Sequence, residues 1–105
     1  MDAIYDPTDK RLICRYRNEA LGRLLKSLRE ERGLRQADVA QLAGFGQSDV
    51  SKVESGERGI RFVELDFYAK ALGVDVGTLA KIMFETMWEQ DEPRTFDAES
   101  ILLGD

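Results

Sequence analysis

Four side chains within one short stretch carry the most suggestive chemistry in this sequence. Gln47, Ser48, Ser51 and Lys52 fall in the segment from Gln47 to about Ser55, whose inward apolar positions are Val50 and Val53. An amide, two hydroxyls and an ammonium would then occupy the other faces of a short helix. Such a face offers donors, acceptors and one positive charge, which suits the edges of bases in the major groove.

Two short elements would have to position that face. Ala37, Val39, Ala40, Leu42 and Ala43 mark an amphipathic segment just before it, and Gly44-Phe45-Gly46 separates the two. Two helices of about eight residues joined by a Gly-containing turn form a helix-turn-helix unit. Helices this short do not persist alone in water, so flanking helices must hold the pair.

The composition leaves room for one domain with one hydrophobic core and a short extension at each end, in 105 residues. Cys14 is the single cysteine and histidine is absent. An intramolecular disulfide, Cys/His metal sites, and Ser-His-Asp or Cys-His catalysis are thereby excluded. No carboxylate or Ser-Lys spacing suggests a catalytic centre, and no cofactor is implied. No apolar run approaches a membrane span. The opening MDAIYDPTDK lacks a basic segment followed by an apolar core. A cytoplasmic location is expected.

The net charge of −5 argues against a nucleic-acid partner until its distribution is considered. Residues 1–36 hold nine Lys/Arg against six Asp/Glu, a balance of +3. Residues 71–105 hold two against eight, a balance of −6. The local field over a contact face matters more than the total.

The flanks read as further helices. Residues Lys10 to Arg17, KRLICRYR, fit either an early extension of the next helix or a short extended arm. Helix starting between Asp9 and Asn18 is favoured. The four positive charges there suit DNA phosphates or a solvated basic face. From Glu19 to Arg32, Leu21, Leu24, Leu25 and Leu28 form a helical apolar stripe, stopped by Gly33. Arg35 stands where Ser, Thr or Asp would be the preferred cap, and its charge could approach a phosphate. Arg61 to Leu72 reads as a fourth helix with Phe62, Leu65, Tyr68 or Ala69, and Leu72 on its inner face. Asp75 is placed to cap a fifth, from Val76 to about Gln90.

In that fifth helix Leu79, Ala80, Ile82, Met83, Phe84, Met87 and Trp88 cover an arc of roughly 240° at 100° per residue. A monomer core needs a much narrower stripe. The excess, with Met83, Phe84, Met87 and Trp88, is expected to face a second subunit; cover by the chain's own ends is the alternative. The tail from Asp91 is acidic and either disordered or folded back over Trp88.

The run LGRLLKSLREERGLRQADVAQLAGFGQSDVSKVESGERGIRFVELDFYAKALGV resembles the Cro/phage-repressor (XRE-type) helix-turn-helix regulators. The resemblance covers about residues 19–85. Its elements are LR..RGL.Q followed by LA, then QS..SK.E.GER, then ALGV. It implies an all-α, five-helix, lambda-repressor-like domain over residues 19–90, with an N-terminal extension (1–18) and an acidic tail (91–105).

The resemblance also implies roles. Gln36 would bind backbone phosphate and brace Gln47; Gln47, Ser48, Ser51 and Lys52 would meet bases. Arg29 and Glu54 would form a buried structural ion pair, and Arg58 and Arg61 would contact phosphates. Two departures stand out. Arg35 and Gly46 replace the usual hydroxyl caps. Asp49 lies near the groove-facing edge, where a carboxylate is unfavourable unless it accepts from cytosine N4. The function expected is a homodimeric, sequence-specific regulator of double-stranded DNA, most naturally a repressor. The rival is an antitoxin or adaptor whose main work is binding a protein partner.

Overall fold

The computed structural model describes residues 9–85, and every regular element among them is a helix. The order is α1 (Lys10–Glu31), α2 (Gln36–Ala43), α3 (Gln47–Ser55), α4 (Phe62–Ala71) and α5 (Val76–Met83). None of these helices is long and apolar enough to cross a membrane.

Of the two conformations open to residues 10–17, the chain adopts helix. The Asp9 carboxylate accepts from the Arg11 N–H at 2.9 Å and starts α1. The helix then runs unbroken through the expected boundary between residues 18 and 19, because no Gly or Pro interrupts it before Gly22. Gly22 is needed for packing. A Cβ there would lie 2.5 Å from the carbonyl oxygens of both Val53 and Glu54, so only glycine lets α1 approach α3 this closely.

Arg35 and Arg61, the cap residues of α2 and α4, have no side-chain acceptor. A carboxylate three residues on supplies the missing contact. The Arg35 N–H donates to Asp38 Oδ2 at 2.8 Å, and the Arg61 N–H donates to Glu64 Oε1 at 3.0 Å. Each is the reciprocal half of a capping box. The unfavourable cap expected at Arg35 is therefore compensated by Asp38.

Leu25, Val39, Val50, Val53, Tyr68 and Leu72 are fully buried at the centre of the core. Burying each of the two valines of α3 contributes about 1.5–3 kcal/mol, which fixes which face of that helix points outward.

Two inward and outward assignments need correction. Phe62, expected on the inner face of α4, is 80% exposed and stands beside exposed Val63 and Phe67. The inner face is Leu65, Tyr68, Ala69 and Leu72. Phe62 is the first residue of α4, and the helix packs through its later turns. Met83, expected at a subunit surface, is only 4% exposed and belongs to the monomer's own core. Its neighbour Phe84 faces solvent. The expected continuation of α5 to Gln90, with Met87 and Trp88, lies outside the described residues, as does the acidic tail.

Candidate nucleic-acid interface

The bend between α2 and α3 is made by Gly44, whose φ of 78° ends α2 in the left-handed conformation. Phe45 follows and turns inward, its ring edge-on to Tyr68 at 5.7 Å. That contact anchors the turn to α4. After α3, Gly56 again adopts positive φ, 86°, and a Cβ there would meet the Glu19 side chain at 2.7 Å. The turn that leads into the outward helix and the end of that helix are thus set by glycine geometry and by close packing.

The inclination of α3 is fixed by a buried polar network. Arg29 of α1 donates from Nε and Nη2 to the two carboxylate oxygens of Glu54, at 2.5 and 3.0 Å. Both side chains are nearly excluded from solvent, at 10% and 4% exposure. The remaining guanidinium nitrogen donates to the Leu34 carbonyl at 2.8 Å. Gln36 Nε2 completes the set by donating to Glu54 Oε1 at 3.0 Å. One carboxylate therefore joins α1, α2 and α3. Its hydrogen bonds to Arg29 raise the guanidinium pKa above its ordinary value, so the pair stays charged. Gln36, half-buried, is committed here to Glu54.

With Val50, Val53 and Glu54 turned inward, Gln47, Ser48, Ser51 and Lys52 are all exposed on α3. The structure brings these four onto one outward surface. Their amide, hydroxyl and ammonium groups can donate to N7, O6 and O4, and the Gln47 amide oxygen and the two hydroxyls can accept from exocyclic amines.

The arginines expected at phosphates are placed differently from one another. Arg61 is exposed. Arg35 is exposed too, but its guanidinium grips Asp38 at 2.8 and 3.2 Å. The hydrogen bonds from the Arg35 side chain and backbone hold the Asp38 carboxyl well down, at about 2. Arg58 is more enclosed. It donates to Glu64 at 3.1 and 3.3 Å and to the Gly59 carbonyl at 2.9 Å, and lies over the Phe45 ring at 5.4 Å. Its Nε is 3.7 Å from Asp49 Oδ1. A phosphate would have to compete with Glu64 for both terminal nitrogens of Arg58, whereas at Arg35, whose side chain is exposed, it would share the guanidinium with Asp38.

The partners Asp38, Glu64 and Phe45 were missed by sequence reasoning. A signal for the two acids was available: each stands three residues after an arginine that opens a helix, the capping-box interval. Nothing local marked Phe45 as the surface on which Arg58 rests.

Comparison with known proteins agrees with this geometry. A family model described as a helix-turn-helix domain matches residues 20–82, more than half of the chain. Among solved structures, a restriction-modification controller protein from Aeromonas hydrophila is 34% identical. It aligns over 59% of this chain and 94% of its own, with a TM-score of 0.57. An XRE-family-like protein from Pseudomonas syringae is 29% identical over 74% of this chain and 95% of its own, with a TM-score of 0.66. A clp gene regulator from C. glutamicum is 25% identical over 68% and 92%, with a TM-score of 0.61. Among curated protein sequences, none matches the chain. The chain belongs to the helix-turn-helix domain family and has the five-helix fold of its Cro/C1-type (XRE) regulators.

Proposed function

We propose that this DNA-binding transcriptional regulator acts as a homodimeric, sequence-specific repressor. The observation that carries the reading is the outward face of α3. Gln47, Ser48, Ser51 and Lys52 are presented together on a short helix whose inclination is fixed by the Arg29–Glu54–Gln36 network. Gln47 is suited to adenine and Lys52 to guanine, with the two serines permissive. Arg61 supplies a phosphate contact, Arg35 adds one while still paired with Asp38, and Arg58 does so only in competition with Glu64.

Two copies would place their α3 helices in successive major-groove faces about 34 Å apart on a pseudo-palindromic site. Phe84, 44% exposed at the end of α5, is the described part of the surface assigned to the dimer. Selection from a randomised duplex pool tests this, with the stoichiometry of the recovered complex read by sedimentation. An inverted repeat holding two chains supports the reading. Recovery of no preferred sequence, or of a single half-site holding one chain, contradicts it.

A second reading has an observation of its own. Phe62, Val63 and Phe67 leave apolar surface exposed on α4, which fits an adaptor or antitoxin that holds a protein partner. A chain that selects no duplex yet forms a stable complex with a co-encoded protein would favour it.

A further inference from the structure

Asp49 is the anomaly of the outward helix. It sits in the first turn of α3, two residues from Gln47, with its side chain 45% exposed. An ionised carboxylate beside a base-reading face repels phosphates and meets acceptors on guanine and thymine. The structure contains a counterweight. Arg58, reaching back from the loop after α3, brings its Nε to 3.7 Å from Asp49 Oδ1.

Arg58 is not a loose surface cation that happens to pass by. Glu64 takes both of its terminal nitrogens, at 3.3 and 3.1 Å, which leaves the Nε edge turned towards Asp49. Glu64 is itself fixed by accepting from the Arg61 N–H at the start of α4. Below, the guanidinium lies over the Phe45 ring, and Phe45 is locked edge-on against buried Tyr68. The chain of contacts runs from the core, through the α2–α3 turn and the first turn of α4, to the first turn of the recognition helix. A guanidinium held by a carboxylate fork and an aromatic face is pre-organised at little further entropic cost.

We propose that Arg58 is a positioning residue for DNA binding, whose work is to screen Asp49 from the operator rather than to grip a phosphate. This rests on the DNA-binding reading above and changes the role expected of Arg58 within it. With the screen in place, the Gln47 end of α3 approaches DNA without a bare negative charge beside it. Without the screen, the same helix carries its repulsive group uncovered.

The test is a double-mutant cycle between Arg58→Ala and Asp49→Asn on the duplex recovered by selection, with affinity measured by anisotropy at several salt concentrations. Urea unfolding of each variant is recorded alongside. Arg58→Ala should weaken binding. Adding Asp49→Asn should recover about tenfold, a coupling in the range measured for interacting neighbours, and should return the salt slope to that of the unmodified protein.

If Arg58 instead grips a phosphate, the double variant stays weak and its slope remains shallower by about one. If Arg58 only holds the loop together, Arg58→Ala lowers unfolding stability and Asp49→Asn restores neither stability nor affinity. Either result overturns the proposal. A selection that recovers no duplex at all removes both this inference and the reading beneath it. A recovered duplex with additive effects of the two substitutions removes this inference alone.

Discussion

Replacing Glu54 by alanine should be the most damaging single change to this fold outside the apolar core. The carboxylate is 4% exposed and accepts three hydrogen bonds, two from Arg29 and one from Gln36. Removing it leaves the Arg29 guanidinium, 10% exposed, charged and without its main counter-ion in a place water hardly reaches. Breaking one partner of such a buried pair costs about 3–5 kcal/mol. A domain of this size has only about 5–15 kcal/mol in total. At about 4–8 °C per kcal/mol for a small domain, the melting temperature should fall by at least 12 °C.

The loss should come from the stranded charge and not from the pair's net worth. A double variant, Arg29→Met with Glu54→Leu, should therefore be far more stable than Glu54→Ala, because well-packed apolar replacements of buried pairs are often neutral. Urea denaturation of the three proteins, with a common m-value, reads the difference directly. A Glu54→Ala loss below about 1 kcal/mol would show that Arg29 relaxes into solvent, and the network would then not be what sets the inclination of α3.

Further expectations follow from particular contacts. The Tyr68 hydroxyl is fully buried and finds no hydrogen-bond partner among the described residues. Tyr68→Phe should raise stability at neutral pH by about 1 kcal/mol, since an unsatisfied buried donor is removed. Burial also pushes the Tyr68 pKa upward. Above pH 10 the unfolded tyrosine ionises while the folded one keeps its proton, so the unmodified protein should lose about 1.4 kcal/mol per pH unit from this residue; Tyr68→Phe should be spared that part of the decline. Gly22→Ala should destabilise by about 1–3 kcal/mol in thermal melts despite alanine's better helix propensity, because its Cβ meets two backbone carbonyls at 2.5 Å. Asp38, held at about 2 by Arg35, contributes stability that is complete above the ordinary carboxylate range and fades as the pH falls towards 2. Asp38→Asn should flatten that part of the acid-unfolding curve.

The sequence made the helices legible because each carries a period of 3.6 and the first four stop at Gly33, Gly44, Gly56 and Gly73, all of which adopt positive φ. The outward set on α3 was legible for the same reason, since Val50 and Val53 alone orient a nine-residue helix. What escaped depends on contacts between elements. Periodicity placed Phe62 inward, but the first residue of α4 lies outside the region where that helix packs. Of the apolar arc expected for the fifth helix, Met83 is taken up by the monomer core and Phe84 reaches solvent, while Met87 and Trp88 lie outside the described residues. The carboxylates that hold Arg35 and Arg58 went unread because a sequence shows a charge and not its partner. Those partners, Asp38 and Glu64, were close in the chain but not assigned to the two arginines. Gln36 is engaged 18 residues away, at Glu54, a pairing that only the folded angle between α2 and α3 creates.

The central claim is that α3 reads base edges through Gln47 and Lys52. Its most direct test is a set of anisotropy titrations on the selected duplex and on its single-base-pair variants, using the unmodified protein, Gln47→Ala and Lys52→Ala. Each substitution should erase discrimination at its own base pair, by about 1–3 kcal/mol, and leave discrimination elsewhere intact. Lys52→Ala and Gln47→Ala proteins that weaken equally on every duplex, or that bind all of them as the unmodified protein does, would contradict the claim.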